Sequence, residues 1–163
     1  MKKILTTLVL SILLGLVSWG QGEHLSKKIT VYGNGIAQVN KYGLDLGLGL
    51  GLEVRDAVYI SIFHKHNLSY LDIKDNQYKV TGVDLMANMS PNYDWFGFGF
   101  GARLGVVEDR YTKGLYLEPY MMFFQNSTDR KKQFVHSIGI LGGFFNYTLV
   151  FQVGDFRVKY RQR

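Results

Sequence analysis

The 163-residue chain has no cysteine, which rules out a disulfide, a thiol nucleophile, a thiolate metal site and a lipid-anchored amino-terminal cysteine. It has only two prolines, Pro91 and Pro119, but 19 glycines, a balance that argues against long helices. Beyond the first twenty residues, no apolar run reaches the roughly 20 residues that a membrane-spanning helix needs. Charge is not concentrated either. The formal net charge of +6 is scattered, apart from Arg130-Lys131-Lys132 and the tail Arg157, Lys159, Arg161 and Arg163. These clusters read as solvated turn and terminal charges, with contact to anionic lipid headgroups as the alternative.

The first residues form a targeting signal. Met1-Lys2-Lys3 is short and positive, and residues 4–17 are apolar apart from Thr6, Thr7, Ser11 and Gly15. Ser18-Trp19-Gly20 then sets small residues at the −3 and −1 positions of a cleavage site. We expect a signal peptide over residues 1–20 and a single exported domain over 21–163. Export leaves no route to a nucleic-acid partner, and none is expected.

Two stretches alternate between a large apolar residue and glycine. One is Tyr42-Gly-Leu-Asp-Leu-Gly-Leu-Gly-Leu-Gly-Leu-Glu-Val54, the other Trp95-Phe-Gly-Phe-Gly-Phe-Gly-Ala-Arg-Leu-Gly-Val106. A period of two is a strand period. One face carries Leu44, Leu46, Leu48, Leu50 and Leu52 in the first stretch, and Phe96, Phe98 and Phe100 in the second. The opposite face is too bare for a solvated surface. The apolar faces are therefore expected to face lipid, on a closed barrel that satisfies its own backbone in the membrane. The alternative is a soluble, lipocalin-like barrel in which Leu and Phe line an apolar ligand.

Alternation and turn signals predict eight strands, over residues 27–39, 42–54, 57–66, 77–89, 95–106, 114–124, 134–142 and 147–160. Asn34-Gly35 is a hairpin signal inside the first. Gly142-Gly143 marks a break before the last, and Gly154-Asp155 a bulge within it. Arg55-Asp56 and residues 90–94 are short connections, whereas residues 67–76 form a long one. Residues 125–132 are a further polar connection. The fold class expected is an all-β, antiparallel up-and-down barrel.

The pattern resembles the small eight-stranded outer-membrane β-barrel family over nearly all of residues 21–160. The ending Val153-Gly-Asp-Phe-Arg-Val-Lys-Tyr160 resembles the closing strand of such proteins, although Arg161-Gln162-Arg163 follow it here. The resemblance implies short periplasmic turns, longer outer loops and residence in the outer membrane of a Gram-negative envelope. Partners would be outer-membrane lipid and an extracellular or envelope protein met through residues 67–76 and 107–113. A subunit of an outer-membrane secretion or transfer apparatus would share these features.

An eight-stranded barrel is just wide enough for side chains to fill it. By parity, Asp45, Glu53, Asp84, Arg103, Tyr116, Glu118 and Tyr120 point inward as a structural polar network, with Arg103 paired to one or more of the acids. Tyr93, Trp95, Tyr111, Tyr116, Tyr147 and Tyr160 lie near strand ends, where rings settle at the membrane interface. Chemistry-bearing motifs are few. His64-Lys-His66 puts two imidazoles on one side of a strand, as half of a metal site would, but only Asp72 and Asp75 lie near as further ligands, and paired histidines are common without a metal. His136-Ser137 invites comparison with lipid A deacylases, but adjacent strand residues point to opposite faces. The reading is a non-enzymatic protein with no catalytic residue, no metal and no cofactor.

Overall fold

The computed structural model describes residues 29–54, 57–68, 77–89, 96–126 and 131–154. The expected signal peptide, Tyr93, Trp95, Tyr160, Asp155 and the end of the eighth strand lie outside them. Eight strands follow in order: β1 (Ile29–Asn40), β2 (Gly43–Val54), β3 (Val58–Leu68), β4 (Lys79–Asn88), β5 (Phe96–Glu108), β6 (Lys113–Asn126), β7 (Lys132–Leu141) and β8 (Phe144–Gly154). Each pairs antiparallel with its neighbour, and β1 pairs with β8 to close the barrel. Closure removes every sheet edge.

Two turn signals resolve differently from expectation. Asn34-Gly35 makes no turn, because β1 runs through it, paired with β2 on one side and β8 on the other. The Asn34 side chain points inward and donates to Ser61 Oγ at 3.3 Å. Gly142 and Gly143 form the β7–β8 hairpin, with φ of 56° and 83°. Positive φ at both central residues suits the right-handed twist of the flanking strands. β8 therefore starts at Phe144, three residues before the expected Tyr147.

The strands also extend into the expected loops. Glu108 and Lys113 are paired strand ends, so the β5–β6 connection is only residues 109–112 rather than 107–113. Glu108 holds Lys113 Nζ at 2.6 Å and Lys79 Nζ at 3.3 Å. Asn67 and Leu68 likewise belong to β3, which leaves 69–78 between the ladders. We call the end that carries 41–42, 69–78, 109–112 and 142–143 the hairpin rim. The end where β1 starts and β8 stops is the terminal rim, with 55–57, 89–95 and 127–131. The anticipated sorting holds for the short 55–57 and the long 69–78 connections but does not extend to the rest of either rim. The hairpin rim holds both two-residue turns, and 69–78 is its one long connection.

The 109–112 turn is capped by its own first residue. Asp109 accepts from the backbone N–H of Tyr111 at 2.7 Å and of Thr112 at 2.6 Å. These bonds hold its carboxyl below the usual carboxylate range. A depressed folded-state pKa means the cap is in full force above the unfolded-state pKa and is lost as pH falls through the folded one. Amide-exchange protection at Tyr111 and Thr112 should therefore hold steady at neutral pH and drop below about pH 3–4. Protection unchanged to pH 2 would show that the carboxylate does not hold the turn.

Candidate functional site

Alternation sorts the side chains into two populations. Leu46, Leu48, Leu50, Leu52, Phe98 and Phe100 are exposed on the outside, Leu48 by 74%, and Leu44 is half-buried there. The Phe96 side chain lies outside the described set. Val31, Ile62, Leu115, Leu117 and Ile138 continue the belt around the barrel. With these residues outside, Leu46, Leu48, Leu50, Leu52, Phe98 and Phe100 do not line an internal ligand, as the lipocalin-like alternative required.

The inward face of every strand contributes to one polar network. Arg103 on β5 sits at its centre, 1% exposed. Its Nε lies 3.2 Å from Asp84 Oδ2 on β4, and its Nη1 lies 3.2 Å from Glu118 Oε2 on β6. The remaining donors reach Thr148 Oγ1 on β8 and Ser137 Oγ on β7, each at 3.1 Å. The guanidinium also lies over the Tyr120 ring, 4.3 Å from its centroid. Five polar or aromatic partners in fixed directions match the fork geometry of arginine, which lysine could not reproduce.

A second cation completes the network. Lys65 on β3 is buried, with Nζ 3.0 Å from Asp45 Oδ2 on β2. It donates to Tyr116 Oη at 2.8 Å and to Gln38 Oε1 on β1. Gln38 Nε2 in turn donates to Glu118 Oε1 at 2.6 Å, joining the Lys65 and Arg103 centres. Sequence reasoning missed Lys65 because it attended to the flanking histidines. The signal was present: if His64 and His66 share the outer face, the residue between them must point inward.

Each of the three carboxylates has a cation and a phenol. Tyr120 Oη donates to Asp84 Oδ1 at 2.5 Å, and Tyr116 Oη to Glu118 Oε2 at 2.5 Å. Tyr78 Oη lies 3.0 Å from Asp45, which also accepts from Asn67 Nδ2 at 2.7 Å. These phenolic donors offset the one negative charge by which Asp45, Asp84 and Glu118 outnumber Lys65 and Arg103. Tyr116 is therefore an interior residue and not part of an interfacial ring, whereas Tyr111 and Tyr147 are exposed. Glu53 is buried nearer the terminal rim, opposite Thr30 and Tyr59, away from Arg103.

The bare glycine faces receive these large side chains. A Cβ on Gly101 would stand 2.6 Å from Tyr120 Cε2, and one on Gly139 would stand 2.9 Å from Glu118 Cγ. Towards the terminal rim the filling turns aromatic. Tyr59 stacks on Phe124 with centroids 5.5 Å apart and meets Tyr32 edge-on at 6.1 Å. The lumen is thus occupied along its length.

Outside, polar groups interrupt the belt in two places. His64 bonds Thr81 and His66, and His136 Nδ1 lies 2.7 Å from Tyr147 Oη. Ser137 faces inward onto Arg103, so His136 and Ser137 are separated by the sheet. Among the described residues, no group of three or more His, Cys, Asp or Glu could hold a metal ion.

The network can be tested by breaking it. Arg103→Met leaves Asp84 and Glu118 buried without their cation and should cost about 3–5 kcal/mol in denaturant unfolding of the micelle-bound barrel. Lys65→Met combined with Asp45→Asn should cost clearly less than Lys65→Met alone. Equal losses in the single and double variants would mean that the pair is not coupled.

No family model and no curated protein matches the chain. Solved structures do. The N-terminal β-barrel domain of Pseudomonas aeruginosa OprF aligns with a TM-score of 0.61 at 10% identity, covering 77% of this chain and 96% of that one. Neisserial surface protein A aligns with a TM-score of 0.53 at 8% identity, covering 79% and 96%. At such identities the likeness is one of architecture, and the chain has the closed eight-stranded fold of the small outer-membrane β-barrels.

Proposed function

We propose that this protein is an exported, non-enzymatic outer-membrane barrel that serves as a sealed anchor rather than a pore. The observation that carries this reading is the inversion of polarity. Ionic groups fill the inside, while large apolar side chains cover the outside. Water on the outer face would meet a wide apolar belt, interrupted by the His64–His66 and His136–Tyr147 groups, far larger than a soluble monomer normally exposes. A lipid environment turns that belt from a liability into the driving force for insertion.

The lumen supports the second half of the proposal. Arg103, Lys65 and their partners cross it and leave each other no freedom to move aside without unpairing a buried charge. Ion passage would require that unpairing. Contact with an extracellular or envelope partner then falls to the hairpin rim, at residues 69–76 and the 109–112 turn. The tight 41–42 and 142–143 turns leave little else there to grip. Near them Lys41 Nζ lies 3.7 Å from the Phe144 ring centroid, an arrangement suited to the headgroup boundary.

Fractionation and conductance test the two halves separately. The protein should remain with the membrane after salt washing and show heat-modifiable gel migration. Recovery in the aqueous fraction would end the membrane reading. Reconstituted in planar bilayers it should give no stepwise conductance, and discrete openings would end the sealed-anchor reading. Leu48→Arg, near mid-belt, should cost roughly 2–4 kcal/mol of folding stability in lipid vesicles.

A further inference from the structure

His64 and His66 stand on the outer face of β3, two residues apart, and both rings are exposed. Their Nε2 atoms lie 2.9 Å from each other. The ring planes are inclined at 78°, with centroids 4.7 Å apart, so the rings meet at an angle and not head-on. The other nitrogen of His64 is fixed: Nδ1 lies 2.6 Å from Thr81 Oγ1 on β4. A hydrogen bond at one imidazole nitrogen orients the ring and commits the other nitrogen to its partner.

We propose that His64 and His66 form a bidentate site for a divalent transition-metal ion, with Thr81 as the positioning residue. Metal–imidazole bonds run about 2.0–2.1 Å. Two such bonds to nitrogens at the observed separation enclose an angle of about 90°, whereas a tetrahedral site would need the nitrogens a few tenths of an ångström further apart. A right-angle pair fits adjacent corners of a square-planar or tetragonal ion, the preference of Cu2+ and Ni2+, better than it fits Zn2+. The remaining corners would be taken by water or an outside ligand, since no third His, Cys, Asp or Glu joins the pair among the described residues.

The chemistry of loading is simple. Without metal, the Nε2–H of one ring donates to the lone pair of the other. With Thr81 accepting from Nδ1–H of His64, that ring offers a free lone pair at Nε2. His66 presents its own lone pair by moving its proton to Nδ1, so no proton is lost. The neighbouring cation Lys79, opposite His66 in the ladder, is already held by Glu108 at 3.3 Å, which offsets its repulsion of an incoming cation. His66 lies two residues from the end of β3 at the hairpin rim, level with the charged Lys79–Glu108 pair, so an ion meets His66 first from the aqueous side and His64, level with Leu48, lies below it.

The test uses the full, untagged chain in detergent, its folded state checked by heat-modifiable migration, and titrates it with CuCl2, NiCl2 and ZnCl2 by isothermal calorimetry. One equivalent of Cu2+ should bind, with Ni2+ weaker and Zn2+ weakest. His64→Ala and His66→Ala should each weaken Cu2+ binding at least tenfold. His136→Ala, the matched control on the same outer face, should leave it unchanged. Thr81→Val should weaken it by about tenfold, the usual scale for an orienting partner. With Cu2+ bound, electron paramagnetic resonance should show two equivalent-strength nitrogen couplings, reduced to one in either single variant. Folded protein that binds no Cu2+, or binds it equally after loss of both histidines, would overturn the proposal. Failure of the membrane reading would show instead in the fractionation, which no histidine substitution affects.

Discussion

Everything else in this barrel depends on burying charge where water cannot follow. Isolated, either Lys65 or Arg103 would carry a desolvation penalty of several kcal/mol inside an eight-stranded lumen. Each is tolerable only because its partners arrive from several strands at once. Gln38 comes from β1, Asp45 from β2, Asp84 from β4, Glu118 from β6, Ser137 from β7 and Thr148 from β8. No hairpin on its own holds a complete set. The network is therefore satisfied only in the closed barrel, which ties the electrostatics of the interior to the topology of the sheet.

The same network pins the register. A slip of one residue in β5 would carry Arg103 to the hydrocarbon face and bring Leu104 inside. The alternating Leu-Gly and Phe-Gly strands would resist such a slip poorly on their own, because glycine makes no demand on its neighbours. Complementarity supplies the missing specificity. Tyr120 sits directly opposite Gly101 in the β5–β6 ladder, and the glycine leaves the space its ring occupies. Tyr32 meets Gly51 in the same way across β1 and β2. Bare positions and bulky ones thus form a lock in which neither half is dispensable.

Much of this was legible in the chain, and the reason is geometric. A period of two assigns every residue of a strand to a face once one residue is placed. Asp84, Arg103 and Glu118 could thus be sent inward from parity alone, as could the Leu faces outward. What parity cannot supply is height, or the end of a ladder. Glu53 and Asp45 share a face of β2, yet only Asp45 meets a cation of the network, because the two sit near opposite ends of the strand. Glu108 and Lys113 look like loop residues by composition. They become strand ends because they pair with each other across β5 and β6. Asn34-Gly35 favours a turn locally, but ladders on both sides of β1 outweigh that preference.

The filled interior also decides where function can reside. A wide barrel can use its lumen, but this one has committed its lumen to packing and charge balance. The hairpin rim carries two-residue turns at 41–42 and 142–143, and the longest stretch between consecutive strands there is 69–78. The outer belt is the remaining surface, and most of it is hydrocarbon that any lipid would match equally well. Polar side chains placed there are exceptional, since a hydrogen-bonding group facing lipid must find its partner within the protein. His136 does so with Tyr147, and Thr81 with His64. His66 finds its partner in another imidazole, whose lone pair and proton are interchangeable with its own. Such a pair satisfies its own hydrogen bonding on a face where no water need be supplied.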